Sequence, residues 1–477
     1  MREHIESAAS SPANIRFEIS PNPAFVDQEI RIRLTGAQPS QIIRIRAVTL
    51  DDDNRPWSSH ADFRADASGT IDLSSAAPLS GTYDGVSPMG LLWSMYLAPE
   101  HHDGRAIFAK KTVAPNAVDF AAESHGRPVA TAAFQRIFLA PGTEARDLRI
   151  DATAQDEGPA VGSHNGGSLG SRSGDVSQGH FIARLFIPPT SAPSGSVTKL
   201  PVVIVLGGSG GGFDLDKAAV LSRHGFATLA LAYFGVPPLP SWLHRVPLDY
   251  FEAALAWLAS HPELDMHRLG ILGVSRGAEL SLLLASTFPQ IHAVVAFAPS
   301  SVAWAAGGCE KETDEEIPAW TFRGSPVPFA SLPLRSFMLR SAIPVVVFRR
   351  PVVFRNLFRA ALRNRESVAR GTIPVENIRG PILLVTGGDD HLWPASGMAE
   401  AILARLKSNG FAHPADHLHY PRAGHMLRYP FLPTTCRESR NPHLRNARYS
   451  YGGSPSADAA AQADSWPRAI AFLQQNL

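Results

Sequence analysis

The sequence predicts an α/β protein: a mostly parallel sheet with helices on both faces, preceded by an immunoglobulin-like β-sandwich. Three observations predict it. Apolar and polar residues alternate through several short segments of the first third. Continuous apolar runs then alternate with amphipathic helical segments over the remainder. A serine stands between two glycines at one strand-to-helix boundary, in GVSRG, residues 273–277.

At 477 residues the chain is longer than one hydrophobic core usually sustains. Two domains are therefore expected, residues 1–142 and 143–477, the second with an insertion at about 303–375. The formal net charge of +1 gives no overall pull toward nucleic acid or a charged membrane. Two cysteines, Cys309 and Cys436, are too few for a disulfide framework or a cysteine zinc site. MREHIESAASSPANIRF mixes charges of both signs without an apolar core, unlike a secretory leader. No window supplies the roughly 18 apolar residues of a membrane span, and the ending QQNL is not a peroxisomal address. The expectation is a soluble cytoplasmic protein acting on a small molecule, with no nucleic-acid partner, metal or organic cofactor. Composition is silent on oligomeric state.

In the first domain EIRIRLTG sets Ile30, Ile32 and Leu34 against Arg31, Arg33 and Thr35, the period-2 pattern of a half-buried strand. IIRIRAVTL, SSHADFRAD, GTIDLS, AIFAKKTV and TAAFQRIFLA repeat that signal at short intervals. TGAQPSQ, DDDNRP and APLSGTYDG supply turns between them. Many short strands without a clear helix predict a sandwich over residues 14–142.

After PGTEARD the period changes. LRIDAT and GHFIARLFIP are expected as two strands, and the Gly/Ser-rich stretch between them, residues 155–178, as a mobile loop. LPVVIVLGG is apolar throughout, as a strand covered on both faces should be. FATLALAYF follows, and DYFEAALAWLASH then puts Phe251, Leu255 and Leu258 on one helical face. RLGILGVS leads into the helical AELSLLLAST, HAVVAFAPS into a long irregular stretch, and PILLVTGGDD into SGMAEAILARLKSNG. DHLHYP is the last strand and ADSWPRAIAFLQQ the last helix. Such alternation builds a mostly parallel sheet.

A G-x-S-x-G match alone is weak, and its surroundings give it weight. Ser275 falls between a strand and a helix, where the nucleophile elbow of an α/β-hydrolase sits. Gly273 and Gly277 permit the sharp turn, and the helix N-terminus presents N–H groups to a developing oxyanion. A serine needs a base, and the base needs a carboxylate. In this fold they follow in the order serine, acid, histidine.

PILLVTGGDDH ends a strand at Asp389 and Asp390, and DHLHYPRAGHML places His425 in the loop after the next. Asp390 is preferred as the acid, because the turn from Gly387 lets the chain clear the sheet first; Asp389 remains the alternative. His391 is expected as a loop residue, and His417 and His419 as strand residues facing the sheet's surface. The backbone N–H of Arg276 is one oxyanion donor, and LGGSGGG supplies the other from Ser209 or Gly210. GGSGGG lacks the Lys-Ser/Thr of a P-loop and does not fit G-x-G-x-x-G, so nucleotide binding is not expected there.

About eighty residues separate AFAPS from PILLVTGG, too many for a crossover, so an insertion that covers the site is expected. From Ile317 through Arg365 it holds nine arginines and no acidic residue. Such a patch suits an anionic ligand, such as the phosphates of a carrier, or a solvated surface with its counter-charges elsewhere. IPVVVFRRPVVF offers apolar surface to an acyl chain or a membrane. Glu279, just inside the helix after Ser275, is expected as a first-turn charge, with an active-site role as the alternative.

PLSGTYDGVSPMGLLWSM in the first domain, with LGGSGGG, GVSRGAEL, GPILLVTGGDDHLWP, YPRAGH and GGSPSADAAAQADSWPRAIAFL in the second, carries a resemblance over nearly the whole chain. The chain resembles the acyl-CoA thioesterase and bile acid-CoA:amino acid N-acyltransferase family. The resemblance implies a triad at Ser275, Asp390 and His425 and an acyl-CoA thioester substrate, attacked to form an acyl-serine. Amino-acid-conjugating members carry cysteine where this chain has Ser275. The resemblance therefore favours hydrolysis to free acid and CoA over N-acyl transfer to an amino acid. A carboxylesterase acting on non-CoA esters is a further alternative, and an idle scaffold that binds anions or partners is the reading from a different class.

Overall fold

Strict alternation of apolar and polar residues makes Ile42–Leu50 and Pro56–Arg64 strands with one buried face. They pair antiparallel, Ile45 opposite Ala61, in a sheet that also holds Asn116–Ser124 and Arg127–Ile137. A smaller sheet joins Arg16–Ser20, Arg31–Thr35 and Ile71–Asp72. Phe17 of the small sheet meets Phe120 of the large one, with ring centroids 6.1 Å apart. The computed structural model describes residues 15–101, 107–150, 181–189, 199–306, 316–440 and 447–477. The expected loop at 155–178 and Cys309 lie outside them.

AIFAKKTV is not a strand over its described residues. Asp51 accepts from the Ala109 N–H at 3.3 Å, and Asp52 accepts from the Lys111 N–H at 2.7 Å and the Lys110 ammonium at 2.9 Å. Carboxylates thus take up backbone donors that a ladder would have used. The strand Asn116–Ser124 has no counterpart among the sequence-predicted strands. It turns through His125-Gly126 onto the next strand, Ser124 pairing with Arg127, as a two-residue hairpin does.

The chain divides into two compact units: one runs to Phe138 and takes in Tyr429–Arg440 and Ser454–Ala460, and the other holds the rest. In this second unit eight strands form one sheet. They are β1 (Glu144–Ile150), β2 (Phe181–Ile187), β3 (Leu200–Leu206), β4 (Ala227–Ala232), β5 (Leu264–Val274), β6 (Ala293–Phe297), β7 (Ile382–Gly387) and β8 (Ala415–Tyr420). Their order is β1-β2-β4-β3-β5-β6-β7-β8. β2 is antiparallel to both neighbours, and every pair from β4 to β8 is parallel. This is an α/β-hydrolase sheet.

Every residue of β4, β6 and β7 is buried, which is why these segments are apolar runs with no period-2 signal. A fully buried Leu or Val side chain there contributes about 1.5–3 kcal/mol. Trp466, on the helix Pro455–Asn476, packs against Phe297 of β6. Among the described residues no helix is long and apolar enough to cross a membrane.

The pairings Val274–Phe297, Phe297–Val385 and Gly387–Tyr420 align the carboxyl ends of β5, β6, β7 and β8. The loops after these strands therefore leave from one edge of the sheet. Between β6 and β7 the helices α1 (Leu334–Val346), α2 (Arg355–Ala361) and α3 (Arg365–Gly371) contribute to a second apolar cluster. It includes Trp304, Phe337, Leu357 and Trp393.

Candidate active site

Ser275 closes β5 and caps the helix Arg276–Thr287 with φ 58° and ψ −120°. A non-glycine residue held there costs about 1–3 kcal/mol, so its surroundings must impose it. They do. The Ser275 N–H donates to the Phe297 carbonyl at 2.8 Å, and the Ser275 carbonyl accepts from Ala278 and Glu279 at 2.9 and 3.0 Å. The glycines of the motif serve close approach. A Cβ on Gly273 would stand 2.1 Å from the Gly277 oxygen, and one on Gly277 would stand 2.3 Å from the Gly207 oxygen.

The loop after β3 lies against the serine, since a Cβ on Gly208 would be 3.4 Å from the Ser275 Cβ. Gly211 donates its N–H to the Gly208 carbonyl and Gly212 to the Phe234 carbonyl, at 3.3 and 2.9 Å. Among the described residues no protein acceptor meets the backbone N–H of Ser209, Gly210 or Arg276. The loop is braced by the Tyr233 hydroxyl, which donates to the Gly207 carbonyl at 2.6 Å and whose pKa burial raises. Beside the loop Lys217 pairs with Asp214, and Arg428 with Asp216 at 2.7 Å. Burial pushes the Asp214 carboxyl up to about 6, with the Lys217 ammonium opposing and Asp216 adding to the rise.

On the other side of the site the two adjacent aspartates part company. Asp390 Oδ2 is 2.7 Å from His425 Nδ1, and both side chains are buried. Its Oδ1 accepts from the N–H groups of Leu392 and Trp393 at 2.7 and 3.1 Å. Asp389 instead meets His391 Nε2 at 3.1 Å, accepts from the Gly453 N–H at 3.1 Å, and has Arg355 at 3.7 Å. His391 Nδ1 meets the Ser450 hydroxyl at 2.9 Å. His417 and His419, on β8, share the hydroxyl of Thr386 at 2.7 and 3.1 Å.

The loop after β8 is closed by residues to which the sequence reading gave no role. The His425 N–H donates to the Tyr451 carbonyl at 2.9 Å. Gly452 has φ 77°, and a Cβ there would fall 1.8 Å from the Asp389 oxygen. The only sequence signal was the glycine pair in YGG, residues 451–453.

Glu279 is the acidic residue of the first turn of the helix Arg276–Thr287, as the sequence predicts. It is fully buried. Its Oε2 takes a bond from Arg276 at 2.8 Å, and its Oε1 accepts from Trp320 Nε1 at 2.8 Å and the Trp304 N–H at 3.2 Å. Burial raises its pKa, and Arg276 opposes that rise. The Arg276 guanidinium also lies 5.7 Å from the Trp320 ring centroid.

Ser275, Asp390 and His425 thus stand in loops at the carboxyl ends of β5, β7 and β8, with the glycine loop at the end of β3 beside the serine. Comparison with known proteins matches the chain in two regions. A model of the acyl-CoA thioester hydrolase/BAAT N-terminal region matches residues 27–150, and a model of the BAAT/acyl-CoA thioester hydrolase C-terminal region matches residues 246–477. Acyl-coenzyme A thioesterase 2, mitochondrial, of Mus musculus is 32% identical over 94% of this chain and 87% of its own length. Acyl-coenzyme A thioesterase 1 of Mus musculus is 31% identical over 94% of each chain. The peroxisomal succinyl-coenzyme A thioesterase of that species is 29% identical over 94% of each.

Proposed function

This chain belongs to the acyl-CoA thioester hydrolase/BAAT family, and on that premise we propose that it is a serine hydrolase cleaving acyl-CoA thioesters to free acid and CoA. The 2.7 Å bond between His425 Nδ1 and Asp390 Oδ2 carries this reading. With its Nδ1–H given to Asp390, the imidazole keeps Nε2 as the basic nitrogen. His425 takes the Ser275 Oγ proton as Oγ attacks the thioester carbonyl carbon. The N–H of Arg276 and that of Ser209 or Gly210 hold the oxyanion.

The C–S bond then breaks and His425 returns the proton to the departing CoA sulfur. Water, deprotonated by the same imidazole, attacks the acyl-serine, and the acid leaves as Ser275 recovers its proton. Asp390, held by the Leu392 and Trp393 N–H groups, orients and stabilises the imidazolium. The scheme uses no metal or organic cofactor. A chain with two cysteines suits a reducing compartment, and the cytoplasm is the location assigned with this reading.

CoA release from a chain-length panel of acyl-CoAs, by wild type and Ser275→Ala, tests the proposal. A loss of roughly 10³-fold or more in kcat is expected, and equal rates would refute it. Fluorophosphonate labelling at Ser275 separates the enzyme from an idle scaffold. Cleavage of p-nitrophenyl esters with no action on any acyl-CoA would reassign it as a carboxylesterase. An N-acyl product formed when glycine or taurine is supplied would make it a transferase.

A further inference from the structure

Leu339, Val347 and Phe348 are the most exposed large apolar side chains among the described residues, at 79%, 66% and 65%. They fall within ten residues of one another, on α1 and just after it. Scattered apolar residues on a surface are ordinary; three clustered among cations are not. Arg340, Arg349 and Arg350 are exposed in the same stretch, and the Arg350 guanidinium lies 5.9 Å from the Phe348 ring centroid.

The local charge is one-sided. No acidic residue occurs from Ile317 through Arg365. Arg323 is paired with Asp249 and Glu252, and Arg355 faces Asp389. Among the described residues no carboxylate partners Arg340, Arg349 or Arg350. Phe337 is buried in the second apolar cluster, so α1 is anchored through that residue while Leu339 and Arg340 remain exposed.

We propose that this patch docks the protein on an anionic lipid membrane. Leu339, Val347 and Phe348 enter the boundary of the acyl chains, and the three arginines pair with headgroup phosphates. Charge complementarity selects this partner: the stretch is cationic, lacks acids and interleaves its cations with apolar side chains, as interfacial segments do. Arginine suits the position because its stem lies along apolar surface while its head reaches phosphate. None of these residues belongs to the proposed catalytic set, so docking and turnover are separable.

Co-sedimentation of the full chain with phosphatidylcholine vesicles, with and without phosphatidylserine, tests this. Binding to the anionic vesicles is expected to exceed that to neutral ones by about tenfold or more and to fall with salt. The variant Arg340→Glu/Arg349→Glu/Arg350→Glu should lose about tenfold or more of that binding. Val347→Ser/Phe348→Ser should lose about fivefold or more, and Leu339→Ser gives a second apolar probe. Hydrolysis of a short-chain acyl-CoA without vesicles should stay at the wild-type rate in all of them.

Equal binding to neutral and anionic vesicles, or none to either, overturns the proposal. Loss in the arginine variant with none in the apolar variants points to a soluble polyanion instead. A change from dimer to monomer on light scattering makes the patch an interface between copies. A raised KM for acyl-CoA in the arginine variant, without vesicles, assigns the cations to the substrate's phosphates.

Discussion

The serine side and the histidine side of the site are fixed by different means. Beside Ser275 the fixing is electrostatic and spans long stretches of chain. Glu279, wholly buried, ties Arg276 on the helix after Ser275 to the Trp304 N–H and the Trp320 indole, 25 and 41 residues away. Beside His425 the fixing is done by backbone. Asp390 takes two N–H groups of its own loop, and the His425 N–H goes to the Tyr451 carbonyl. Gly452 passes so close to Asp389 that one methyl group would not fit. The serine side should therefore fail when a charge is removed, and the histidine side when a carbon is added.

The largest effect should come from separating the two aspartates. Asp390→Asn keeps an acceptor for the backbone donors but loses the charge opposite His425, and kcat should fall by roughly 10⁴-fold. Asp389→Asn disturbs the contacts to His391, Gly453 and Arg355, worth about 1 kcal/mol or less each, and should leave most activity. Steady-state kinetics decides, and similar losses in the two would erase the distinction.

On the serine side Glu279→Ala leaves the Arg276 guanidinium buried without its partner, which should cost about 3–5 kcal/mol of stability. Urea unfolding measures it. A cost below about 1 kcal/mol would mean that buried charge does not hold this side. On the histidine side Gly452→Ala should cost about 2–3 kcal/mol, combining a left-handed backbone with an overpacked contact. A lowered Tm together with lowered kcat is expected; an unchanged protein would show that the loop has slack.

Much of this was legible in the sequence, for reasons that also explain what was not. The sheet announced itself through apolar runs, and Ser275 through flanking glycines that the close approaches require. Asp390 was favoured over Asp389 by the length of a turn, a local property. Glu279 is legible as a first-turn charge, but its burial is not, because Trp304 and Trp320, which bond it, lie in the insertion. The Tyr451–Gly452 closure was invisible because carbonyl and N–H contacts carry no residue signature beyond glycine. AIFAKKTV has the composition of a strand, and strand propensity takes no account of Asp51 and Asp52, some sixty residues earlier.

The charged side should also be the one that responds to pH, through Asp214. Burial lifts its carboxyl to about 6, against about 4 in an unfolded chain. Between those values the folded state holds more protons than the unfolded one, so this group's contribution to stability falls as pH rises through that window. Above it both states are ionised and the penalty is constant. A rise from about 4 to about 6, with the opposing Lys217 already counted in it, corresponds to a change on the order of 3 kcal/mol across that window. Unfolding by urea at several pH values across that range, for wild type and Asp214→Asn, isolates it. The wild type should lose stability relative to the variant as pH rises. If it gains instead, attraction to Lys217 outweighs burial, and the charges beside the glycine loop stabilise the fold rather than being carried at its expense.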